Sequence, residues 1–553
     1  MKKLIYIVLG IGLVAGGLVL ARSGYRNWRQ KRLVRLAEDF LAKSDTTNAT
    51  LCVQRALQLN PRDLSACRMF AELAERAGSR NGIWWRRRVV DMEPNLMQNR
   101  IDLAKTALVL GDLAQANEAL AAIDATGKKT AEYHKAMGSL AWALNRYSDA
   151  EKEYDDAVRL EPTNAASQLN LAITRLVVDN GSRANAGRAS LEVLRTNQTV
   201  RLAALRQLVQ DALRNNALLN AQTYARELEE EPTCRFSDRL FYLDALVTSQ
   251  DERFSAYLDS LERVSATNST MAYELAGWLI HHGQARQALG WAQSIPPEVR
   301  TNLPFPMVMA DGYTAIGAWQ PMDSMLLKQD WKDMDYLRHL LRARALRAQN
   351  QTLASSVEWR SALTAASSHI ESLNDIVKRT AAWNWGPELD ECLWSIVENF
   401  PIEKGAFLAL YDRLAFTGNT AALHNLLAKI SSFVPLPLEL KNNFAVVSLL
   451  VYPQGQHGHD LAREAYEDAP QNPFVVSTYA YSLYLQGKGK DALKLFDSIK
   501  REDLDEPSIA AYYGIILAGT GNHGQARHFI DLGLQARLLP EERNLLGRAG
   551  EGL

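Results

Sequence analysis

The amino-acid sequence predicts an all-α chain: an N-terminal transmembrane helix, then an α-solenoid of antiparallel helix pairs stacked into a superhelix. Three observations predict it. An uncharged run extends from Leu4 to Ala21, close behind the start of the chain. Further on, a small residue that follows a large apolar one recurs at steps of 34 positions. And 553 residues exceed what one hydrophobic core serves, whereas a repeat array lengthens by addition.

The first element is the apolar run, LIYIVLGIGLVAGGLVLA, which at the helical rise reaches about 27 Å, the depth of a hydrocarbon core. Arg22, Arg26, Arg29, Lys31, Arg32 and Arg35 follow it, with Tyr25 and Trp28 between them. Aromatic and basic residues mixed in this way suit a membrane–water interface. A cleaved signal peptide is the competing reading, with Val19-Leu20-Ala21 as a weak cleavage site, but its apolar region is typically about 7–15 residues. The longer run here, with no lipoprotein cysteine, favours an uncleaved signal anchor. Six basic residues after the run, against Lys2 and Lys3 before it, lean towards a repeat domain on the cytoplasmic side, with the side left open. The Gly12/Gly16 spacing is compatible with self-association of anchors.

The repeats come next. Leu103-Ala104, Met137-Gly138 and Leu171-Ala172 stand 34 positions apart, as do Leu275-Ala276 and Met309-Ala310, and Tyr479-Ala480 and Tyr513-Gly514. Within HKAMGSLAWALNRYSDAEKEYDDAVRLEP, Gly138 allows close approach of a partner helix and Asn145-Arg146 forms the turn. Ala150, Tyr154 and Ala157 share one face of the second helix, and Pro162 ends it. Ala480, Leu483, Gly487, Ala492 and Phe496 repeat these offsets, and so do Gly514, Leu517, Gly521, Ala526 and Ile530. At the start, Ala37, Phe40, Ala49, Val53, Ala56 and Pro61 match as well.

These motifs resemble the tetratricopeptide repeat family, and within it a membrane-anchored protein of bacterial type. The resemblance covers most of the chain after residue 34 and amounts to roughly fourteen or fifteen helix pairs. It implies a concave superhelical surface lined by the first helix of each pair. Carried over position by position, it points to Gln98, Lys105, Lys135, Trp142, Asn170, Tyr481, Tyr484 and Tyr512 as candidate groove residues. The same aromatics also suit packing within the stack, so both readings stand at this point.

The expected organisation is a tail at 1–3, a transmembrane helix at 4–21 and a basic juxtamembrane segment at 22–33. Clear repeats are expected at 34–178, 271–363 and 456–540, degenerate helical repeats at 179–270 and 364–455, and a tail at 541–553. Asp179-Asn180-Gly181-Ser182-Arg183 reads as an inserted loop.

Composition and motifs narrow the chemistry. Lys+Arg number 62 against 63 Asp+Glu, so no nucleic-acid partner is expected. Cys52, Cys67, Cys234 and Cys392 form no Cys-x-x-Cys pair, which gives neither a zinc ribbon nor a redox pair. No hydrolase, phosphate-binding or dinucleotide motif occurs, and Gly487-Lys488-Gly489-Lys490 falls in an inter-helix turn. His281-His282 and His457-Gly458-His459 read as a helix end and a polar loop. Arg86-Arg87-Arg88 reads as a solvated helix face with Trp84 and Trp85 turned inward, and Trp383, Trp385 and Trp394 as packing between repeats. No catalytic residue, metal or cofactor is implied.

The expectation is a membrane-anchored scaffold or adaptor for protein or peptide partners, with a bacterial inner membrane as its location. An alternative is a cell-envelope or polysaccharide assembly factor. The architecture is similar to anchored repeat proteins of the lipopolysaccharide assembly type, although the cysteine pairs of their metal module are missing. A regulatory subunit of an enzyme complex is a further alternative. A catalytic domain of its own would need a βα pattern, and the carboxy-terminal part carries repeats instead.

Overall fold

The computed structural model describes residues 24–551 apart from 179, 180 and 402. The expected membrane helix and the Gly12/Gly16 spacing lie outside the described residues. Among the described residues there is no strand, and no helix is long and apolar enough to cross a membrane.

The chain follows one grammar of local structure. A helix of about 13 residues ends at a residue with positive φ, and an antiparallel second helix follows. The left-handed residue stops the first helix by turning the backbone away, and glycine or asparagine reaches that conformation at least steric cost. Gly78, Gly111 and Asn145 stand 33 and 34 positions apart; Asn216, Gln250, Gly283, Gly317, Asn350, Asn384 and Gly418 continue at the same two steps; Gly487 and Gly521 stand 34 apart. Helix pairs therefore persist through both stretches where the signature fades. Seven positions before each turn stands the residue equivalent to Gly138.

The pair Ala131–Ala143 and Tyr147–Leu160 shows how this grammar packs. A Cβ on Gly138 would lie 2.7 Å from the Tyr154 ring, so the missing side chain is what lets the ring seat there. The Tyr154 hydroxyl and the Ser139 hydroxyl share a 3.0 Å hydrogen bond. Sixteen positions separate small partner from large, and the rule recurs in Ala104 with Leu120, Ala343 with Trp359 and Ala480 with Phe496, all buried. Burying one such side chain contributes roughly 1.5–3 kcal/mol, and stacking joins these clusters along the array.

Two compact units are defined, one up to Trp278 and one from Leu279. In the first unit, polar links tie each repeat to the next. Arg206 holds the buried Asp238 through two bonds of 2.6 and 2.8 Å, Arg188 holds Asp211 at 2.6 Å, and Trp278 donates to Asp244 at 2.6 Å. In the second unit, Trp359 donates to Glu391 at 2.6 Å and Asn443 donates to the Tyr411 hydroxyl at 2.9 Å.

Several expectations need correction. The basic segment at 24–33 is no separate linker, because helix 24–42 runs through it into the first repeat; Tyr25 and Trp28 remain exposed. The inserted loop is shorter than expected, since Ser182 and Arg183 open the helix Ser182–Leu194. The tail at 541–553 is helical as far as Glu551, in the helix Pro540–Glu551 that packs on the last pair. His457, Gly458 and His459 lie within the helix Gln456–Asp468, because Gly458 sits tightly against Leu449 and His459 bonds Ser482 at 2.8 Å. Trp84 faces outward at 53% exposure, and the neighbouring arginines are spent on partners: Arg86 on Glu75 at 3.5 Å, Arg87 on Glu118 at 3.0 Å, Arg88 on the Pro61 carbonyl at 2.8 Å.

Candidate functional site

First helices lie side by side in sequence order, so one repeat position generates a row of side chains across several helices. A cavity of about 320 Å³ shows this at the carboxy-terminal end. Tyr481, Ile515 and Ala549 line it, one from each of three consecutive first-type helices and each 34 positions from the last. Tyr484 and Ala518 form a second such row beside them.

The repeats resemble those of the tetratricopeptide type. Their period, their left-handed turn and the small–large pair carry that resemblance. No family model matches the chain, and no curated protein does. Solved structures that it resembles include PilF of Pseudomonas aeruginosa, 13% identical over 40% of this chain and 98% of that one, at a TM-score of 0.32. A thermophilic TPR protein of Thermus thermophilus is 20% identical over 32% of this chain and 98% of its own, at 0.28. The Cut9–Hcn1 hetero-tetramer of the APC/C is 11% identical over 82% and 96%, at 0.29. The resemblance to tetratricopeptide repeats rests on the chain's own geometry and not on these likenesses.

The residues that the resemblance singled out fall into three groups. Gln98 and Lys105 are exposed on the first helix Met97–Val109, and Gln98 donates to Asp102 at 2.7 Å. Lys135, Trp142 and Asn170 are half-buried. Lys135 is shared between Glu132 at 3.3 Å and Glu161 at 3.1 Å, and that bond holds the Glu161 carboxyl below the usual carboxylate range. Trp142 packs edge-on against Tyr147, with centroids 5.1 Å apart. The three tyrosines differ from these. Tyr481 and Tyr512 are 2% and 5% exposed and belong to the apolar core, while Tyr484 keeps an edge in the cavity. Burial pushes the phenol of Tyr481 up, and Tyr512 donates its hydroxyl to Glu542. As the structure stands, Tyr481 and Tyr512 do more for the stack than for a partner.

A second cluster was missed from sequence. Asp311, Arg344 and Lys378 each follow the small-residue position of one of three consecutive first helices, Phe305–Ala315, Asp335–Ala348 and Ile370–Ala382. This is the position that Lys105 and Tyr481 occupy in their own repeats. The Arg344 guanidinium lies over the Trp383 ring at 4.4 Å and the Trp319 ring at 5.6 Å. Neighbouring arginines are all paired: Arg342 with Asp323 at 2.9 Å, Arg347 with Glu388, Arg379 with Asp375 at 2.9 Å. Arg344 has no ion pair or hydrogen bond among the described residues. Burial pushes its guanidinium down from the ordinary value, opposed by Asp311 and reinforced by Arg379. Asp311 is exposed, yet enough protein surrounds it to push its carboxyl up against the pull of Arg379 and Arg344. The signal was present in sequence: Asn350 stands seven positions after Ala343, but the step of 33 from Gly317 breaks a strict period of 34.

Among the described residues, no group of His, Cys, Asp and Glu is placed to hold a metal ion. His281 and His282 are exposed at a helix end, with rings 5.6 Å apart. Gly487 has φ +78, as the turn reading of the glycine–lysine run requires.

Proposed function

We propose that this chain is a membrane-anchored scaffold that binds protein or peptide partners along the face formed by its first helices. One observation carries the reading. At a single repeat position the first helices present side chains that the fold leaves unspent or exposed: Lys105, Arg344 and Lys378. Within each unit, side chains in register on stacked first helices form a strip rather than a pocket, and such a strip suits a peptide or a protein surface.

The anchor rests on the uncharged run Leu4–Ala21 and its basic flank, and it gives the scaffold a place to work, a bacterial inner membrane with the repeats on the cytoplasmic side. Two experiments test the reading. Affinity capture with the full chain in detergent should recover specific protein partners, and a monodisperse chain that recovers none sinks the scaffold. A carboxy-terminal reporter fusion should be active as a cytoplasmic enzyme and silent as an exported one. The reverse pattern keeps the scaffold and moves it across the membrane.

A further inference from the structure

We propose, on the anchored-scaffold reading, that the loop edge of the first two repeats is a docking surface for anionic lipid headgroups. Arg62 and Arg88, at one cavity of that edge, take the lipid phosphate.

Three residue steps separate Ala21, the end of the uncharged run, from Gly24, where the helix 24–42 begins. Three steps of chain reach at most about 11 Å in any conformation. The first turn of that helix therefore lies at the headgroup layer of a bilayer that holds the run. Later parts of the chain are fastened beside it. Arg26, in that first turn, donates to the Leu59 carbonyl at 3.1 Å, and Arg88 donates to the Pro61 carbonyl at 2.8 Å. The turn 59–63 and the end of the helix Asn81–Met92 are thus held close to the point where the chain leaves the membrane. A cavity of about 690 Å³ opens there, lined by Arg62, Leu64, Arg88, Asp91, Met92 and Glu93.

The charge at this edge is unbalanced. Asp63 is spent on its own helix, accepting the Ala66 N–H at 2.8 Å, and Glu93 accepts from Arg68 at 2.7 Å and Asn99 at 3.2 Å. Asp91 is the carboxylate left exposed. Against it stand Arg26, Arg29, Arg62 and Arg88, none with an ion pair among the described residues. The bond from Arg88 to a carbonyl uses one donor of five and leaves its charge unanswered. The rings of Trp84 and Trp85, 5.3 and 5.8 Å from that guanidinium, position it without neutralising it. A phosphodiester matches the planar fork of an arginine through parallel N–H bonds. Tyr25 and Trp28 decide between a lipid and a free phosphate. They are 58% and 55% exposed with rings 6.0 Å apart, and such amphipathic rings gain from a headgroup layer and nothing from a free anion.

The test reconstitutes the full chain into vesicles of phosphatidylcholine alone, or of phosphatidylcholine with phosphatidylglycerol, and follows hydrogen exchange. Exchange at 59–64 and 93–96 should slow about fivefold in the anionic vesicles. The turn 77–80, at the far end of the 13-residue helix Leu64–Arg76 and so about 20 Å away, should exchange alike in both. Arg62→Gln replaces an exposed side chain and should remove most of the slowing, whereas Arg80→Gln, exposed at the far end, should keep it. Raising the salt to about 1 M should erase the slowing, because exposed charges are screened within about 3 Å there. No difference between the vesicles, or a difference that survives Arg62→Gln, overturns the headgroup site and leaves the anchor standing. The same slowing produced by inorganic phosphate on the full chain in detergent overturns the lipid assignment. A chain that floats with neither vesicle overturns the anchor and the headgroup site together.

Discussion

The amino-terminal unit and the carboxy-terminal part of the second unit use the same repeat but close it differently. In the first unit, polar links step from one repeat to the next, as in Arg206 with Asp238 at 32 positions and Trp278 with Asp244 at 34. The second unit has such links too, and adds one of another order. The Thr420 hydroxyl donates to the Glu541 carboxylate 121 positions away. Pro540 lies against Gly418, Arg537 lies over the Phe416 ring at 5.3 Å, and Leu539 joins the apolar cluster of Leu414 and Leu423. Glu542 fastens the start of this last helix by accepting the Leu539 N–H at 2.8 Å and the Tyr512 hydroxyl. Nearest-neighbour arrays open and close one repeat at a time, whereas a segment tied end to middle opens as a larger unit.

Five substitutions sharpen that comparison. The largest effect is expected at Asp238, 2% exposed and bound by Arg206 and the Arg235 N–H. Burial opposes its charge, yet these partners outweigh burial and hold its carboxyl below the usual range. Asp238→Ala strands Arg206 and should cost about 3 kcal/mol. Hydrogen exchange should accelerate only in the helices Arg201–Arg214 and Phe236–Thr248 and their neighbours. Acceleration spread evenly over the unit would break the one-step picture.

Next come two glycines in the same conformation. Gly111 has φ +76 and open space where a Cβ would go; Gly418 has φ +68 and Pro540 within 2.9 Å. Gly111→Ala should cost about 1 kcal/mol of backbone strain, and Gly418→Ala about 2–3 kcal/mol because it also pries off the last helix. Exchange should then rise both at 404–431 and at 540–551. Equal costs for the two would mean that the long-range contact contributes nothing.

Glu542 gives a smaller effect with a definite sign. Burial pushes its carboxyl above the ordinary 4.5, so the folded state binds more protons than the unfolded one between that value and its folded pKa. Stability of the carboxy-terminal segment should therefore fall as pH rises through this window, a loss complete above the folded pKa. Glu542→Gln should flatten that slope in thermal melts from pH 4.5 to 7; an unchanged slope assigns it to other groups. Smallest is Phe416→Ala. Phe416 is 78% exposed, and losing its Arg537 contact should cost about 0.5 kcal/mol in urea melts.

How much was legible in sequence follows from the physics of each feature. The Gly138–Tyr154 pair was readable because a small residue and a ring, repeated at one fixed offset, fit a single packing geometry between paired helices. The signature fades at 201–229 because the volumes are exchanged: Val209 stands at the small position and Ala225 at the large one, both fully buried in one cluster. The packed volume is conserved while the residue pattern inverts, so the fold persists where a motif search fails. Lys105 could be placed from register alone. The register of Arg344 was readable from Asn350 as well, but its lack of a partner was not, because that depends on where Asp311, Asp375 and two tryptophans end up. The contact of Gly418 with Pro540 spans too much chain for any periodicity to announce it. Tyr481 and Tyr512 were singled out correctly as first-helix residues, but sequence offset gives the helix and not the depth.

The most direct test of the account is crosslinking from defined faces of the intact chain. A photo-reactive amino acid would replace Lys105 or Lys378 on first helices, and Lys152 or Leu353 on second helices, all four exposed. The account predicts that partner proteins are captured from positions 105 and 378 and not from 152 and 353. Capture from the second-helix positions alone, or equally from all four, would contradict it.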